Sequence, residues 1–168
     1  RDGVLSRGFV INGKSYAPRK ISDFKLLPGS KKSILRLRNA GFKVIVVTNQ
    51  PDIGNGLIKL SEVETMHEVL KKKTNPDAIY LCPHSQSHRC NCRKPKPGML
   101  LEAALVHKIN LSKSFMVGDR ASDIEAGLRA GCSAIFINRH YAEPYPNGQN
   151  YTVSSLTKAV DYILSNKL

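Results

Sequence analysis

The sequence has 168 residues and a formal net charge of +13, a length that suits one domain with a hydrophobic core and is short for two. Hydrophobic residues make up 41% of it, which is ordinary for a soluble globular protein, and no apolar run approaches the roughly 20 residues that span a bilayer. The positive charge fits an anionic small molecule, a nucleic acid or simply a basic surface, so composition does not choose among these three.

Short apolar segments alternate with amphipathic ones, and we predict a single domain over residues 1–168. The pattern predicts a helix over 30–40 that stops at Gly41, then a buried strand over 43–47. Ser61 and Glu64 have the spacing of a capping box at the start of the next helix. In chain order there follow strands over 78–81, 114–117 and 133–137, helices from Pro97, over 121–131 and from Ser154, and a loop over 138–152.

Continuous apolar strands separated by helices indicate a parallel sheet with helices on both faces, which is the doubly wound α/β class. In such a sheet the ligand site lies beyond the carboxyl ends of the strands. Thr48, Asn49 and Gln50 follow one predicted strand, and Asp119 and Arg120 follow another. We therefore expect these polar side chains to converge on one crevice.

A cluster of cysteine and histidine residues follows the strand over 78–81. Cys82 and His84 form one pair, and Cys90 and Cys92 form a second one nearby. Three thiolates and an imidazole are a ligand set of closed tetrahedral zinc sites, so we predict a structural zinc ion that stabilises the loop. His88 is an alternative to His84, and free thiols are the alternative to a metal site. Cysteines crowded in this way also favour a reducing cytoplasm.

Charged residues near the other strand ends suggest a second metal and a phosphate. Asp119 and Asp123 suit Mg²⁺, although acidic residues also occur at helix N-termini merely because they favour the helix dipole. Arg93 and Lys94 could hold a phosphate group or belong to a basic surface loop. Asp2, which is followed by glycine, by itself indicates only a turn.

Taken in order, these motifs resemble the haloacid-dehalogenase-like (HAD-like) phosphatases, and more narrowly the heptose-bisphosphate phosphatase group. The resemblance extends over nearly the whole chain and is carried by the runs TNQPDIGNG, CRKPKPGMLL and FMVGDRASDIEAG. It implies a Mg²⁺-dependent phosphatase with a small cap domain or none. The reaction would remove the 7-phosphate of D-glycero-D-manno-heptose 1,7-bisphosphate through an aspartyl-phosphate intermediate, on the way to nucleotide-activated heptose.

The resemblance also implies a role for each motif residue. Asp2 would be the general acid for the leaving sugar oxygen and then the base for water, and its backbone carbonyl would bind Mg²⁺. Asp119 would be a carboxylate ligand of Mg²⁺, with Asp123 supporting it. Thr48 and Lys94 would hold the transferring phosphoryl group. Further contacts with phosphate or substrate would come from Asn49, Gln50, Arg93 and Arg120.

The chain departs from the family pattern in three places. The family's nucleophilic aspartate lies two residues before the acid/base aspartate, and that position falls before Arg1. We therefore expect that a central strand ending in this aspartate precedes Arg1, and that the printed chain begins after a break or omission. The alternative is a catalytically inactive chain. Ser6 stands where the family often has Asn, and Arg120 stands where some members have Lys.

Three other functions are alternatives to a heptose phosphatase. Histidinol-phosphate phosphatase keeps the enzyme class, but the run GCSAIFINRHYAEPYP favours the heptose group. A polynucleotide 3′-phosphatase would suit the positive charge, but the sequence has no basic stretch interleaved with aromatic residues that could stack on bases. A zinc-stabilised binding module would have no catalytic activity. We expect a cytoplasmic monomer that acts on a phosphorylated sugar and binds neither nucleic acid nor membranes.

Overall fold

The computed structural model describes residues 1–166. Within this range the strands and α-helices, numbered in chain order, are β1 (Phe9–Ile11), β2 (Lys14–Tyr16), α1 (Ser30–Asn39), β3 (Ile45–Asn49), α2 (Pro51–Gly54), α3 (Leu60–Thr74), β4 (Ala78–Cys82), α4 (Gly98–His107), β5 (Phe115–Gly118), α5 (Ala121–Arg129), β6 (Ser133–Ile137), β7 (Tyr151–Val153) and α6 (Leu156–Ser165). Short 3₁₀ helices occupy Ile21–Asp23 and Leu111–Lys113. None of the helices in the described range is long and apolar enough to cross a membrane.

The predicted parallel α/β architecture is confirmed, with the strands divided between two parallel sheets. β3 pairs with β4, and β5, β6 and β7 form the second sheet in that order. Side chains alternate along the strands and bury both faces, as expected for strands between helix layers. Val46 packs in a core with α1, α3 and α6, whereas its neighbour Val47 packs on the other side with Met99 of α4.

Several predicted element starts need correction. The strand predicted from 114 begins at Phe115, and the helices predicted from Pro97 and Ser154 begin at Gly98 and Leu156. Two further starts have an identifiable cause. The strand predicted over 43–47 begins at Ile45, because the Val44 N–H donates to the Asp77 carboxylate at 2.7 Å and so ends the ladder there. Helix α3 has its N-cap at Lys59, and the box predicted at Ser61 is replaced by one in which Glu62 accepts from the Lys59 N–H at 3.4 Å. In both cases a side-chain carboxylate that competes for a backbone N–H decides the boundary.

The chain has two further elements that its local pattern conceals. The predicted loop over 138–152 overlaps β7, which pairs in parallel with β6 in the register Ile135 opposite Tyr151. A β-hairpin made of β1 and β2 precedes the first helix. The three strands β1, β2 and β7 have only three residues each, and most of their side chains are exposed. None of them shows the hydrophobic alternation from which strands are predicted.

An apolar cavity of about 190 Å³ lies between the two parallel sheets. Val46 of β3 and Val117 of β5 line it from its two sides, and helices α1, α4 and α6 also contribute to its walls. Within residues 1–166, β3 pairs only with β4, and β5 pairs on one edge with β6. The cavity therefore separates two strand edges whose backbone groups have no strand partner among the described residues. Arg1 also lines this cavity.

Candidate functional site

The polar residues at the end of β3 and directly after β5 meet the segment around Asp2 at the carboxyl ends of the strands. The strand predicted to stop at residue 47 continues through Thr48 and Asn49. The pairing of Asn49 with Cys82 brings the ends of β3 and β4 level. Each chain segment leaves the sheet at this edge, so residues far apart in sequence become neighbours. The resulting cluster consists of Asp2, Gly3, Thr48, Asn49, Gln50, Lys94, Asp119 and Asp123.

The Asp2 carboxylate accepts hydrogen bonds from three side chains. Arg1 Nε donates at 3.1 Å, Ser6 Oγ at 3.0 Å and Gln50 Nε2 at 2.9 Å. Gln50 is only 1% exposed, and it also donates to Thr48 Oγ1 at 2.9 Å, so one amide group aligns Asp2 with Thr48. Burial acts to raise the pKa of Asp2, but the Arg1 guanidinium, further positive charge nearby and the hydrogen bonds from Arg1 and Gln50 together outweigh burial and lower the pKa below its ordinary value.

Lys94 is held from both ends. Its Nζ makes a 2.6 Å ion pair with Asp123 Oδ1, and both side chains are 8% exposed. Its backbone exchanges two hydrogen bonds with the Asn49 side chain, one to Lys94 O at 3.1 Å and one from Lys94 N at 3.2 Å. Asn49 therefore orients the lysine, which is a role that the sequence prediction of a substrate contact did not include.

Besides its ion pair with Lys94, Asp123 makes hydrogen bonds that stabilise the start of α5. Its Oδ2 accepts from the backbone N–H groups of Asp119 and Arg120, each at 3.2 Å. Burial acts to raise the pKa of Asp123, but the charge of the Lys94 ammonium and the hydrogen bonds from Lys94 and the Arg120 N–H act together against burial and lower the pKa. Both oxygens of Asp123 thus have partners within the protein, which suits the supporting role predicted for this residue.

Asp119 is the buried carboxylate of the cluster that lacks a cationic side chain in direct contact, and it is 5% exposed. Burial raises its pKa to about 6, and the neighbouring Asp123 carboxylate adds to the rise. Gly3 lies against it with φ +78°, and a Cβ on Gly3 would come within 1.8 Å of Asp119 Oδ2. A carboxylate held in such an environment is a suitable ligand for a hard cation, because the cation would offset both effects.

Two arginines predicted to contact substrate point elsewhere. Arg120 pairs with Glu143 at 3.0 Å and also donates to the Ser15 carbonyl oxygen. Arg93 is half-buried, and its guanidinium lies 3.5 Å from the carbonyl oxygen of His84, beside the cysteine cluster. Neither guanidinium makes a hydrogen bond with Asp2, Thr48 or Lys94 in the described structure.

The predicted cysteine and histidine cluster comes together in space. The three sulfur atoms and one imidazole nitrogen of Cys82, His84, Cys90 and Cys92 all lie within 4.8 Å of one another. Cys82 Sγ is 3.8 Å from Cys90 Sγ, and His84 Nδ1 is 3.3 Å from Cys92 Sγ. Thiolates bound tetrahedrally at a Zn–S distance of about 2.3 Å are separated by about 3.8 Å. His88 stacks on the His84 ring, with 4.3 Å between centroids.

Several residues of the site were not identified from the sequence. Arg139 Nε donates to the Gly3 carbonyl oxygen at 2.9 Å, and the Tyr141 hydroxyl lies near the Asp119 carboxylate, with which it lines a small cavity. Both lie in the segment after β6, which the sequence indicates only as a loop. The sequence could have indicated Arg139 and Tyr141 only by their position, because the segment after β6 leaves the sheet at the same edge as Asp119.

Comparison with known proteins agrees with this geometry. A family model described as HAD-hydrolase-like matches residues 91–159. The D-glycero-beta-D-manno-heptose-1,7-bisphosphate 7-phosphatase of Helicobacter pylori is 38% identical over 133 residues, which are 75% of this chain and 76% of that protein. Its counterpart in Escherichia coli K12 is 30% identical over 174 residues, covering 96% of this chain and 87% of that protein.

A solved structure extends the comparison to the fold. The D,D-heptose 1,7-bisphosphate phosphatase from B. bronchiseptica, complexed with magnesium and phosphate, superposes with a TM-score of 0.84 at 27% identity. The superposition covers 98% of this chain and 95% of that one. The sequence identity, the coverage and the strand-end cluster agree, and the chain belongs to the D-glycero-β-D-manno-heptose-1,7-bisphosphate 7-phosphatase family of HAD-like hydrolases.

Proposed function

We propose that this chain is a Mg²⁺-dependent phosphatase that removes the 7-phosphate from D-glycero-D-manno-heptose 1,7-bisphosphate. The observation that carries the proposal is the convergence of Asp2, Thr48, Lys94 and Asp119 in one cluster, in a chain of this family. The cluster combines a cation for phosphate, a carboxylate for a metal and a second carboxylate for proton transfer, as phosphoryl transfer requires.

In this proposal Lys94 and Thr48 hold the phosphoryl group that is transferred. The Lys94 ammonium is buried, so its attraction for phosphate oxygens is screened less than that of a surface lysine. Asn49 fixes its backbone and Asp123 fixes its Nζ, so the ammonium is oriented before substrate arrives. Arg93, on the side of the cysteine cluster, is available for the part of the sugar farther from the reacting phosphate.

The nucleophile would be a carboxylate at the end of a strand seated in the cavity between β3 and β5. Support comes from the cavity's apolar lining and from the facing edges of the two strands, which lack strand partners among residues 1–166. A carboxylate oxygen would attack phosphorus while the phosphorus–sugar oxygen bond breaks. The pKa of Asp2 is low in the described structure, so the acid role requires Asp2 to take up a proton when substrate binds, and it would give that proton to the leaving oxygen. Ionised Asp2 would then take a proton from the water that displaces the carboxylate from phosphorus.

The donor set fits Mg²⁺. Asp119 offers a buried carboxylate, the Asp2 backbone carbonyl is proposed as a second oxygen ligand, and Asp123 supports Asp119 by accepting a hydrogen bond from its backbone N–H. When bound, the cation would neutralise the charge that develops on the transferring phosphoryl oxygens. Asp119 must be ionised to bind it, and its raised pKa of about 6 makes that ionisation sensitive to mild acid.

The Cys/His cluster is proposed as a structural zinc site. Four protein ligands fill a tetrahedral zinc ion completely, so this site would stabilise the loop between β4 and α4. That loop carries Arg93 and Lys94, which follow directly after the last cysteine. None of the four cysteines forms a disulfide in the described structure, and zinc ligation by thiolates favours a reducing compartment such as the cytoplasm.

Zinc content provides a direct test of the cluster. We expect about one zinc per chain in the native protein and in Cys132→Ala, since Cys132 is buried outside the cluster. Replacing Cys90 with serine should remove most of the metal and lower the unfolding temperature, because the loop loses the folding energy that metal supplies. Elemental analysis and thermal unfolding measure the two effects. Full zinc content in Cys90→Ser would contradict the assignment.

The activity is tested by comparing substrates on the native protein with added Mg²⁺. Turnover of heptose 1,7-bisphosphate should exceed that of histidinol phosphate and of a 3′-phosphorylated oligonucleotide, and chelation of Mg²⁺ should abolish it reversibly. A preference for either competitor would overturn the substrate assignment, and no hydrolysis of any of the three would favour a binding module.

The nucleophile can be identified separately. Acid quenching during turnover, followed by trapping with hydroxylamine and peptide mass spectrometry, should locate the modified carboxylate. We expect it on a residue other than Asp2, Asp119 and Asp123. A label on Asp2 would mean that this residue attacks phosphorus and would remove the acid/base role proposed for it.

A further inference from the structure

An ion pair next to the proposed metal ligand connects three distant parts of the chain. Arg120 follows Asp119 directly, and its guanidinium contacts Glu143 at 3.0 Å and the Ser15 carbonyl oxygen. The Glu143 carboxylate also accepts from the Ser15 N–H at 3.0 Å. One ion pair therefore satisfies both backbone groups of Ser15, which lies in β2.

Neighbouring residues strengthen the same connection. The Ala142 N–H donates to the Gly13 carbonyl oxygen at 2.7 Å, and the Tyr141 hydroxyl lies near both Ser15 and Asp119. Residues 141–143 thus contact residues 13–15 of the hairpin. Arg120 lies between the two segments at the end of β5.

The hairpin depends on these contacts for its position. β1 and β2 pair only with each other among the described strands, and their apolar side chains Phe9, Val10 and Ile11 are 40%, 60% and 57% exposed. A two-stranded hairpin is only marginally stable by itself. Contacts with the segment after β6 therefore have to hold it against the rest of the molecule.

The contacts between the hairpin and the segment after β6 lie directly beside the candidate site. Asp119, Arg120, Tyr141 and Glu143 line one small cavity, so the connection forms the wall of the site on the β6 side. The cysteine cluster and Arg93 follow β4, on the other side of the cavity between β3 and β5. A substrate larger than its reacting phosphate must extend past one of these two walls.

We propose that Arg120 and Glu143 are positioning residues that hold the hairpin over residues 9–16 as one wall of the site, and that this wall selects large sugar bisphosphates over small phosphate esters. The proposal rests on the proposed phosphatase function. It assigns Arg120 to the hairpin in place of the substrate contact predicted from the sequence. A fixed wall lowers the entropy lost when an extended substrate binds, whereas a small ester that reaches only Lys94 and Asp119 does not contact it.

The test compares two substrates on the same variants. Glu143→Ala should raise KM for heptose 1,7-bisphosphate at least tenfold with kcat changed less than threefold, and kcat/KM for p-nitrophenyl phosphate should change less than twofold. Glu143→Gln keeps an acceptor for Ser15 N–H but loses the ion pair, so its KM for heptose 1,7-bisphosphate should lie between those of the native protein and Glu143→Ala. Glu125→Ala is the matched control, because Glu125 pairs with Arg129 at 2.5 Å on an exposed helix face.

A second readout does not depend on activity. Backbone amides of residues 9–16 should exchange with solvent at least tenfold faster in Glu143→Ala than in the native protein or Glu125→Ala. Unchanged exchange there would overturn the hairpin contact, and equal losses on both substrates would overturn the selectivity. If the native protein hydrolyses p-nitrophenyl phosphate but not the heptose bisphosphate, the proposed substrate fails, while the exchange experiment still decides the contact.

Discussion

Replacing Lys94 with methionine is expected to lower kcat/KM by about a thousandfold and also to destabilise the protein. The activity falls because the buried ammonium is the cation proposed to hold the transferring phosphoryl group, and loss of one such group costs roughly 10²–10³ in rate. The stability falls because Asp123, 8% exposed as a side chain, keeps its charge without its 2.6 Å partner. Breaking one side of a buried pair costs about 3–5 kcal/mol, or roughly 10 °C in unfolding temperature for a chain of this size.

A double variant separates these two effects. In Lys94→Met with Asp123→Asn no unpaired carboxylate remains, so its unfolding temperature should be higher than that of Lys94→Met alone. Its activity should stay as low as that of the single variant, since no cation has been restored. Thermal unfolding and steady-state kinetics on the three proteins give the comparison. A single variant that keeps more than a tenth of native kcat/KM would contradict the phosphate-binding role.

Replacing Gly3 with alanine is expected to lower activity at saturating substrate by about a hundredfold and to weaken Mg²⁺ binding. The added Cβ would lie 1.8 Å from Asp119 Oδ2, so the carboxylate proposed to bind the metal has to move. A displacement of about 1 Å in a catalytic group can cost roughly a hundredfold in rate. The Mg²⁺ concentration for half-maximal activity, and direct calorimetry of Mg²⁺ binding, measure the effect on the metal site.

Gly41 provides a control with the same backbone strain. It has φ +88°, close to the φ of +78° at Gly3, but a Cβ there would meet nothing within 4 Å. Both substitutions should therefore lose about 1–2 kcal/mol of stability from the left-handed conformation, and Gly3→Ala should lose more because its Cβ also displaces a buried side chain. Only Gly3→Ala should change Mg²⁺ binding. Equal Mg²⁺ affinities in the two variants would show that Gly3 does not control Asp119.

Sequence patterns predicted the architecture well where the elements are long and apolar. The helix over 30–40 appears as Ser30–Asn39, and the strand over 133–137 appears with the same bounds. Apolar periodicity is a property of the chain itself, since burial of one face is the main force that selects a helix or a strand. The three-residue strands β1, β2 and β7 were missed because backbone pairing with a partner, and not burial, forms them.

Within the site, too, some features could be predicted from the sequence and others could not. Residue types and spacing were enough to select the four Cys/His residues and to suggest Asp119 as a metal ligand, whereas the roles of Asp2, Thr48 and Lys94 came from the family resemblance. The structure brings these residues into two clusters. The hydrogen-bond partners could not be selected in this way. Asn49 was predicted to face substrate, but both atoms of its amide bond the Lys94 backbone.

The alternation of strands and helices, the order of the motifs and the residue types available for metal and phosphate can all be read from the amino-acid sequence. These depend on local composition and on spacing along the chain. Only the tertiary structure decided that Glu143 would pair with Arg120, that Arg139 would hold the Gly3 carbonyl oxygen, and that Tyr141 would reach Asp119. A hydrogen bond requires its two groups within about 3 Å and correctly oriented. For residues separated by 136 positions, such as Arg139 and Gly3, only the folded chain provides that geometry.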